Sequence, residues 1–134
     1  MSAFYHGAEG VWWMSEGQKD HYTRLFPFLS EKSNIVLSSV FDKKTLGTIK
    51  ALREGISKSG EDRKGWVVLG SESWIKGFQD AKEWCEANGK EQDVLWNVPY
   101  ETTLARMAVA EGFVYLPKGK DTCPRMVIEA KLLG

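Results

Sequence analysis

Trp66-Val67-Val68-Leu69-Gly70 is the segment whose reading decides the fold. It is the clearest strand in the chain, a short apolar run closed by a glycine. Beyond it, Phe78, Ala81 and Cys85 mark a helix that ends at Asn88-Gly89, a stop signal because a left-handed residue satisfies the last helical carbonyls. Val94-Leu95-Trp96 is the next short strand. A strand, a helix and another strand in this order predict a βαβ unit with a right-handed crossover and a parallel sheet.

The same alternation extends in both directions. Upstream, Val11-Trp12-Trp13-Met14 reads as a buried strand with Trp12 and Trp13 in the core, as Trp66 is further on. Ser15-Glu16-Gly17-Gln18 has the spacing of a capping box, and Tyr22, Leu25 and Phe26 form a helical stripe ended by Pro27. Ile35-Val36-Leu37 is a strand, and Asp42 is the expected N-cap of a helix with Leu46, Ile49, Leu52 and Ile56 on one face. The polar segment 57–65 is the one convincing linker. Downstream, Pro99 opens a helix carrying Leu104, Met107 and Ala108, Phe113 to Leu116 is a strand, and a last helix starts near Pro124. The expected fold is α/β, a Rossmann-like three-layer sandwich with a mainly parallel sheet. Ligands of such sheets bind beyond the carboxyl ends of the strands. Three loops lie there: Gly70 to Gly77, Trp96 to Tyr100, and Pro117 to Pro124.

Composition narrows the function classes. The 134 residues include 18 basic and 18 acidic side chains with no basic stripe, which argues against nucleic-acid binding by phosphate neutralisation. No apolar run approaches the roughly 18 residues of a membrane span, and the start lacks the pattern of a signal peptide. The chain has 2 His, and Cys85 and Cys123 lack a CxxC spacing, so no metal site is expected and both thiols are expected to be reduced, in a cytoplasmic protein. His6 and His21 sit in no catalytic motif.

The chemistry concentrates in the three loops. Lys76 in the first can neutralise phosphate as a point charge. Asp121 and Glu129 straddle the start of the last helix, where unpaired N–H groups and the helix dipole favour an anion. Each residue alone has an ordinary explanation as a solvated lysine, a helix cap or a surface carboxylate. Trp74, Trp96 and Tyr100, in or beside the loops, are expected to pack, with stacking on a base as the alternative.

In this order these residues resemble a glycosyltransferase of the GT-B fold, group 1 type (family 4 and its relatives). The likeness runs from about Trp66 to Gly134 with its nucleotide-sugar half: Gly70, Ser71 and Lys76-Gly77 after the first strand, Trp96-Asn97-Val98-Pro99 with Leu104 for a "G-x-V-P" turn, and Leu116-Pro117-Lys118 then Asp121-x7-Glu129 for "LPS" and E-x7-E. Residues 8–56 are similar to the last βα units of the other half. The resemblance therefore implies a partial GT-B fold, with residues 1–60 a remnant of the N-terminal domain and 61–134 the donor-binding region, truncated at its end. Such a chain by itself is expected not to turn over.

What the resemblance implies for the site is specific. Asp121 and Lys76 would be catalytic, Asp121 near the donor sugar and Lys76 on the diphosphate. Gly70, Ser71, Gly77, Asn97, Val98, Thr122, Cys123, Arg125 and Glu129 complete the donor site, with Glu129 on the ribose, Asn97-Val98 beside the base and the backbone at Thr122 and Cys123 facing the phosphates. The donor is a nucleotide-diphosphate sugar, the acceptor a saccharide, lipid or protein, the transfer retaining and free of metal or other cofactor. Two departures stand out. Ser71 replaces the family's Arg, a charge that Arg125 would replace in part unless its side chain packs outward, and Asp121 is one methylene shorter than the usual Glu. A different class of reading is a non-catalytic α/β module that pairs with a second copy through its incomplete sheet. A receiver-like domain fits less well, because the first strand ends in Met14-Ser15 rather than an acidic residue.

Overall fold

The computed structural model describes residues 5–119 and 124–134, so that Asp121, Thr122 and Cys123 lie outside the described residues. The chain divides into two compact units, Met1–Val40 and Phe41–Gly134. The division falls well before the expected boundary near residue 60, because the helix that precedes the polar segment packs within the second unit.

The first unit holds β1 (Gly10–Trp13), α1 (Glu16–Leu25), a 3-10 turn (Pro27–Glu31) and β2 (Ser33–Val36). Its strands pair in parallel, Trp12 opposite Ile35 and Trp13 opposite Val36. Ser15 caps the helix, its Oγ accepting from Gln18 N at 3.1 Å, while Gln18 Oε1 accepts from Met14 N, one residue before the cap, at 2.8 Å. Pro27 ends the helix and starts the 3-10 turn, whose Leu29 is buried. One face of the sheet carries buried Trp13, which stacks on Tyr22 at 5.9 Å. The other face carries Trp12, 56% exposed, and Ile35, 59% exposed. Trp12 is therefore not the core residue expected of it: adjacent residues of a strand point to opposite faces, and among the described residues of this unit only one face is covered.

The second unit is built on β3 (Trp66–Leu69), β4 (Gln92–Leu95) and β5 (Gly112–Val114), with α2 (Lys43–Ser59), α3 (Phe78–Ala87), α4 (Tyr100–Val109) and α5 (Arg125–Leu133). The sheet order is β4-β3-β5 and all pairs are parallel. The chain steps from β3 to β4 in one direction, then back across β3 to β5. With right-handed crossovers, reversing direction sends the two connecting helices to opposite faces. The packing agrees. Val68 and Val114 pack with Ala81 and Cys85 of α3, whereas Val67 and Leu95 pack with Leu104, Met107 and Ala108 of α4, Ile49 of α2 and Leu133 of α5. Central β3 is buried on both faces, Val67 and Val68 each at 0% exposure, which is why its sequence is an unbroken apolar run. The result is the expected Rossmann-like arrangement, helix on sheet on helix.

Local signals set the helix ends. Asp42 caps α2 by accepting from Thr45 N at 2.6 Å, and this bond holds its carboxyl below the ordinary range. Pro99 precedes α4, and Gly89 follows α3 in the left-handed region at φ 60°. Cys85 is a buried, unpaired thiol, raised in pKa chiefly by its burial.

Candidate functional site

The carboxyl end of the sheet is where the two directions of winding part. The loop after β3 leads to α3 on one face, and the loop after β4 leads to α4 on the other. Ligands of open parallel sheets bind outside the carboxyl ends of the strands. A cleft of about 640 Å³ lies there, within the size range of small-molecule sites. Leu69, Leu95, Val98 and Met126 give it an apolar floor, and Asn97, Tyr100, Thr103, Arg125 and Glu129 supply polar groups around it.

Each polar group has a local reason for its position. Asn97 follows β4 with φ 52°, a left-handed conformation that asparagine tolerates better than most residues and that turns the chain sharply into Pro99. Tyr100 is the first residue of α4, and Arg125 the first of α5. Glu129 follows Arg125 by one turn, so the two share a helix face. Its carboxylate is 1% exposed, and Oε1 accepts from Tyr100 OH at 2.7 Å and from Arg125 Nε at 2.9 Å. A buried carboxylate needs such partners, because desolvation without them is costly. The Arg125 guanidinium also lies over the Phe41 ring at 4.7 Å and the Tyr100 ring at 5.7 Å, which fixes a side chain that is 48% exposed. Its pKa is raised, first by Glu129 and then by Tyr100. The Tyr100 hydroxyl is raised too, first by burial and then by Glu129, so it remains a donor at neutral pH.

The residues expected from the sequence separate into three groups. Gly70, Asn97, Val98, Arg125 and Glu129 come together in the cleft. Ser71, Lys76 and Gly77 lie on the loop after β3 but do not line it. Ser71 Oγ accepts from Ser73 N at 3.1 Å, and Lys76 ends a 3-10 turn (Trp74–Lys76) with its N–H on Ser73 O at 3.0 Å. Asp121, Thr122 and Cys123 lie outside the described residues.

Two glycines have packing reasons for their identity. A side chain at Gly70 would collide with the Trp96 ring and crowd Leu95 O, and one at Gly77, where φ is 66°, would collide with Leu116 O. The second contact holds the loops after β3 and β5 together, as does Lys118 N on Ile75 O at 3.1 Å, and Lys118 Nζ pairs with Asp80 of α3 at 3.2 Å.

Tyr100 is the site residue that the sequence left most open. Its partner lies 29 residues away, so no local spacing joins them. Trp96 packs edge-on against Phe78 at 5.4 Å while 41% exposed, and Trp74 is 67% exposed. The histidines are elsewhere: His6 stacks on Phe28 at 3.9 Å and His21 meets Tyr22 edge-on at 5.4 Å. Among the described residues no cluster of three or more His, Cys, Asp or Glu suits a metal, and no helix is long and apolar enough to cross a membrane. The arrangement joins an apolar floor suited to a flat ring, a buried carboxylate suited to hydroxyls and a guanidinium at a helix start suited to an anion. Comparison of the chain with protein-family models, curated proteins and solved structures finds no match.

Proposed function

We propose that the second unit binds a nucleotide-diphosphate sugar as the donor half of a glycosyl-transfer site. The observation that carries this reading is the meeting of Arg125, Glu129, Asn97 and Val98 in one cleft at the carboxyl ends of β3 and β4. Glu129 takes the ribose hydroxyls, Arg125 and the start of α5 take the diphosphate, and the Asn97-Val98 turn borders the base. Asp121, outside the described residues, is assigned to the sugar, whereas Lys76 lies off the lining of this cleft. Transfer, retaining and without metal, then rests on electrostatic stabilisation of the leaving diphosphate. The acceptor is a saccharide, a lipid or a protein.

Titration with UDP, GDP and ADP, followed by NMR, tests the proposal. At least one nucleotide should shift resonances around the cleft. Arg125→Ala and Glu129→Ala should each weaken it by about tenfold or more, the scale of a charge-assisted bond. Unchanged affinity in both variants, or no binding by any nucleotide, would sink it.

A second reading, association of two copies, is favoured by the exposed Trp12–Ile35 pair of the first unit. The second unit gives it less support. Edge strand β4 carries Asp93 ion-paired to Arg106, and edge strand β5 spans three residues, both features that discourage strand pairing. Size-exclusion with light scattering distinguishes monomer from dimer.

A further inference from the structure

Glu129 is 1% exposed although it lines an open cleft. The groups that shield it are themselves accessible: Tyr100 is 39% exposed and the Arg125 side chain 48%. Their two hydrogen bonds converge on the same oxygen, Oε1. Arg125 is held in place by Phe41, by the Tyr100 ring and by its own position one turn before Glu129. Tyr100 reaches the carboxylate across from another helix, through a side chain of a residue that is itself partly exposed. Side chains of this kind change rotamer without any backbone motion.

We infer that Tyr100 determines which ligands the cleft accepts, because its hydroxyl occupies the place on Glu129 Oε1 that a ligand hydroxyl would take. This rests on reading the cleft as a nucleotide site. A ligand reaches the carboxylate by displacing the phenol, and the exchange has a simple balance. A ligand with one hydroxyl replaces one O–H···O⁻ bond with another and gains nothing at this point. A vicinal diol replaces that bond and brings a second hydroxyl to the carboxylate. Tyr100 therefore makes the cleft select a vicinal diol, such as an intact ribose, over a sugar with a single hydroxyl or none. Without the phenol, the first hydroxyl would meet an acceptor that no longer has to be vacated.

The test uses the full chain and its Tyr100→Phe variant, which keeps the ring over Arg125 and removes the hydroxyl. Each is titrated by calorimetry with UDP, GDP and ADP and with their 2′-deoxy and 2′,3′-dideoxy counterparts. In the unaltered protein the ribonucleotide should bind about tenfold better than the other two, which should bind alike. In Tyr100→Phe the ribo and 2′-deoxy ligands should both tighten by about tenfold while the dideoxy ligand stays unchanged.

Equal tightening of all three would mean that the substitution had merely widened the cleft, and would overturn the inference. Weakening of all three would make Tyr100 a ligand contact, with the same consequence. Equal affinity of the unaltered protein for all three would overturn the diol selection while leaving nucleotide binding in place. No binding of any nucleotide to either protein would overturn the nucleotide reading, and this inference with it.

Discussion

The two compact units start from the same motif, parallel strands joined through a helix, and treat its apolar surface differently. In Phe41–Gly134 the sheet has helices on both faces, and neighbouring Val67 and Val68 are both fully buried. In Met1–Val40 neighbouring Trp12 and Trp13 differ, 56% and 2% exposed, because among the described residues of this unit only one face of the sheet is covered. An apolar strand thus reports the capacity to be buried on two faces, and the number of layers decides whether both are used. The difference extends to chemistry. The candidate cleft lies at the carboxyl end of the sheet that is covered on both faces.

The largest expected effect separates the units outright. A chain of residues 41–134 should retain cooperative urea unfolding, whereas residues 1–40 alone should show none. A two-stranded sheet of about 40 residues buries too little surface to offset its chain entropy. Cooperative unfolding of the smaller piece would break the comparison.

Within the larger unit, Leu104→Ala should lower stability by about 2–5 kcal/mol, since Leu104 is 1% exposed among Val67, Leu95 and Met107. Chemical denaturation measures this directly, and a loss below about 1 kcal/mol would mean that the core relaxes into the space.

The Asp42 cap should have a pH signature. Its carboxyl is held below its ordinary value of 3.8, so its contribution is fully present above that value and is lost as pH falls through the lowered one. The difference in urea midpoint between the unaltered protein and Asp42→Ala should therefore be greatest near neutrality and close at strongly acidic pH. A gap that persists there would assign the cap's role to something other than its charge.

The smallest effect belongs to the exposed face of the first unit. Trp12→Ser should change stability by no more than about 0.5 kcal/mol, beyond the hydrogen bond its Nε1 donates to Leu37 O at 2.7 Å. A larger loss, measured by thermal unfolding, would show that a partner surface covers this face in solution.

Most of the second unit's framework was legible because its signals are local. Asp42, Pro99 and Asn88-Gly89 act on backbone groups within a turn of themselves, and helix spacing brings Leu104, Met107 and Ala108 to one face without reference to the rest of the chain. Trp12 was not legible, since its surroundings are set by a layer rather than by its neighbours in sequence. The candidate site divides in the same way. Arg125 and Glu129 share a face by their spacing alone, and the loops after parallel strands must gather at one end of the sheet. Which loop residues enter the cleft was not readable: Ser71, Lys76 and Gly77 follow β3 as closely as any residue, yet the 3-10 turn carries them off its lining.

By itself, then, the sequence determined the element order, the helix ends and the parallel strand arrangement, because hydrogen bonding and side-chain periodicity act over a few residues. Only the tertiary structure decided that β3 lies between β4 and β5, that Trp12 faces outward, and that Tyr100 closes over Glu129. Each depends on groups far apart in the chain meeting where packing leaves them no other place.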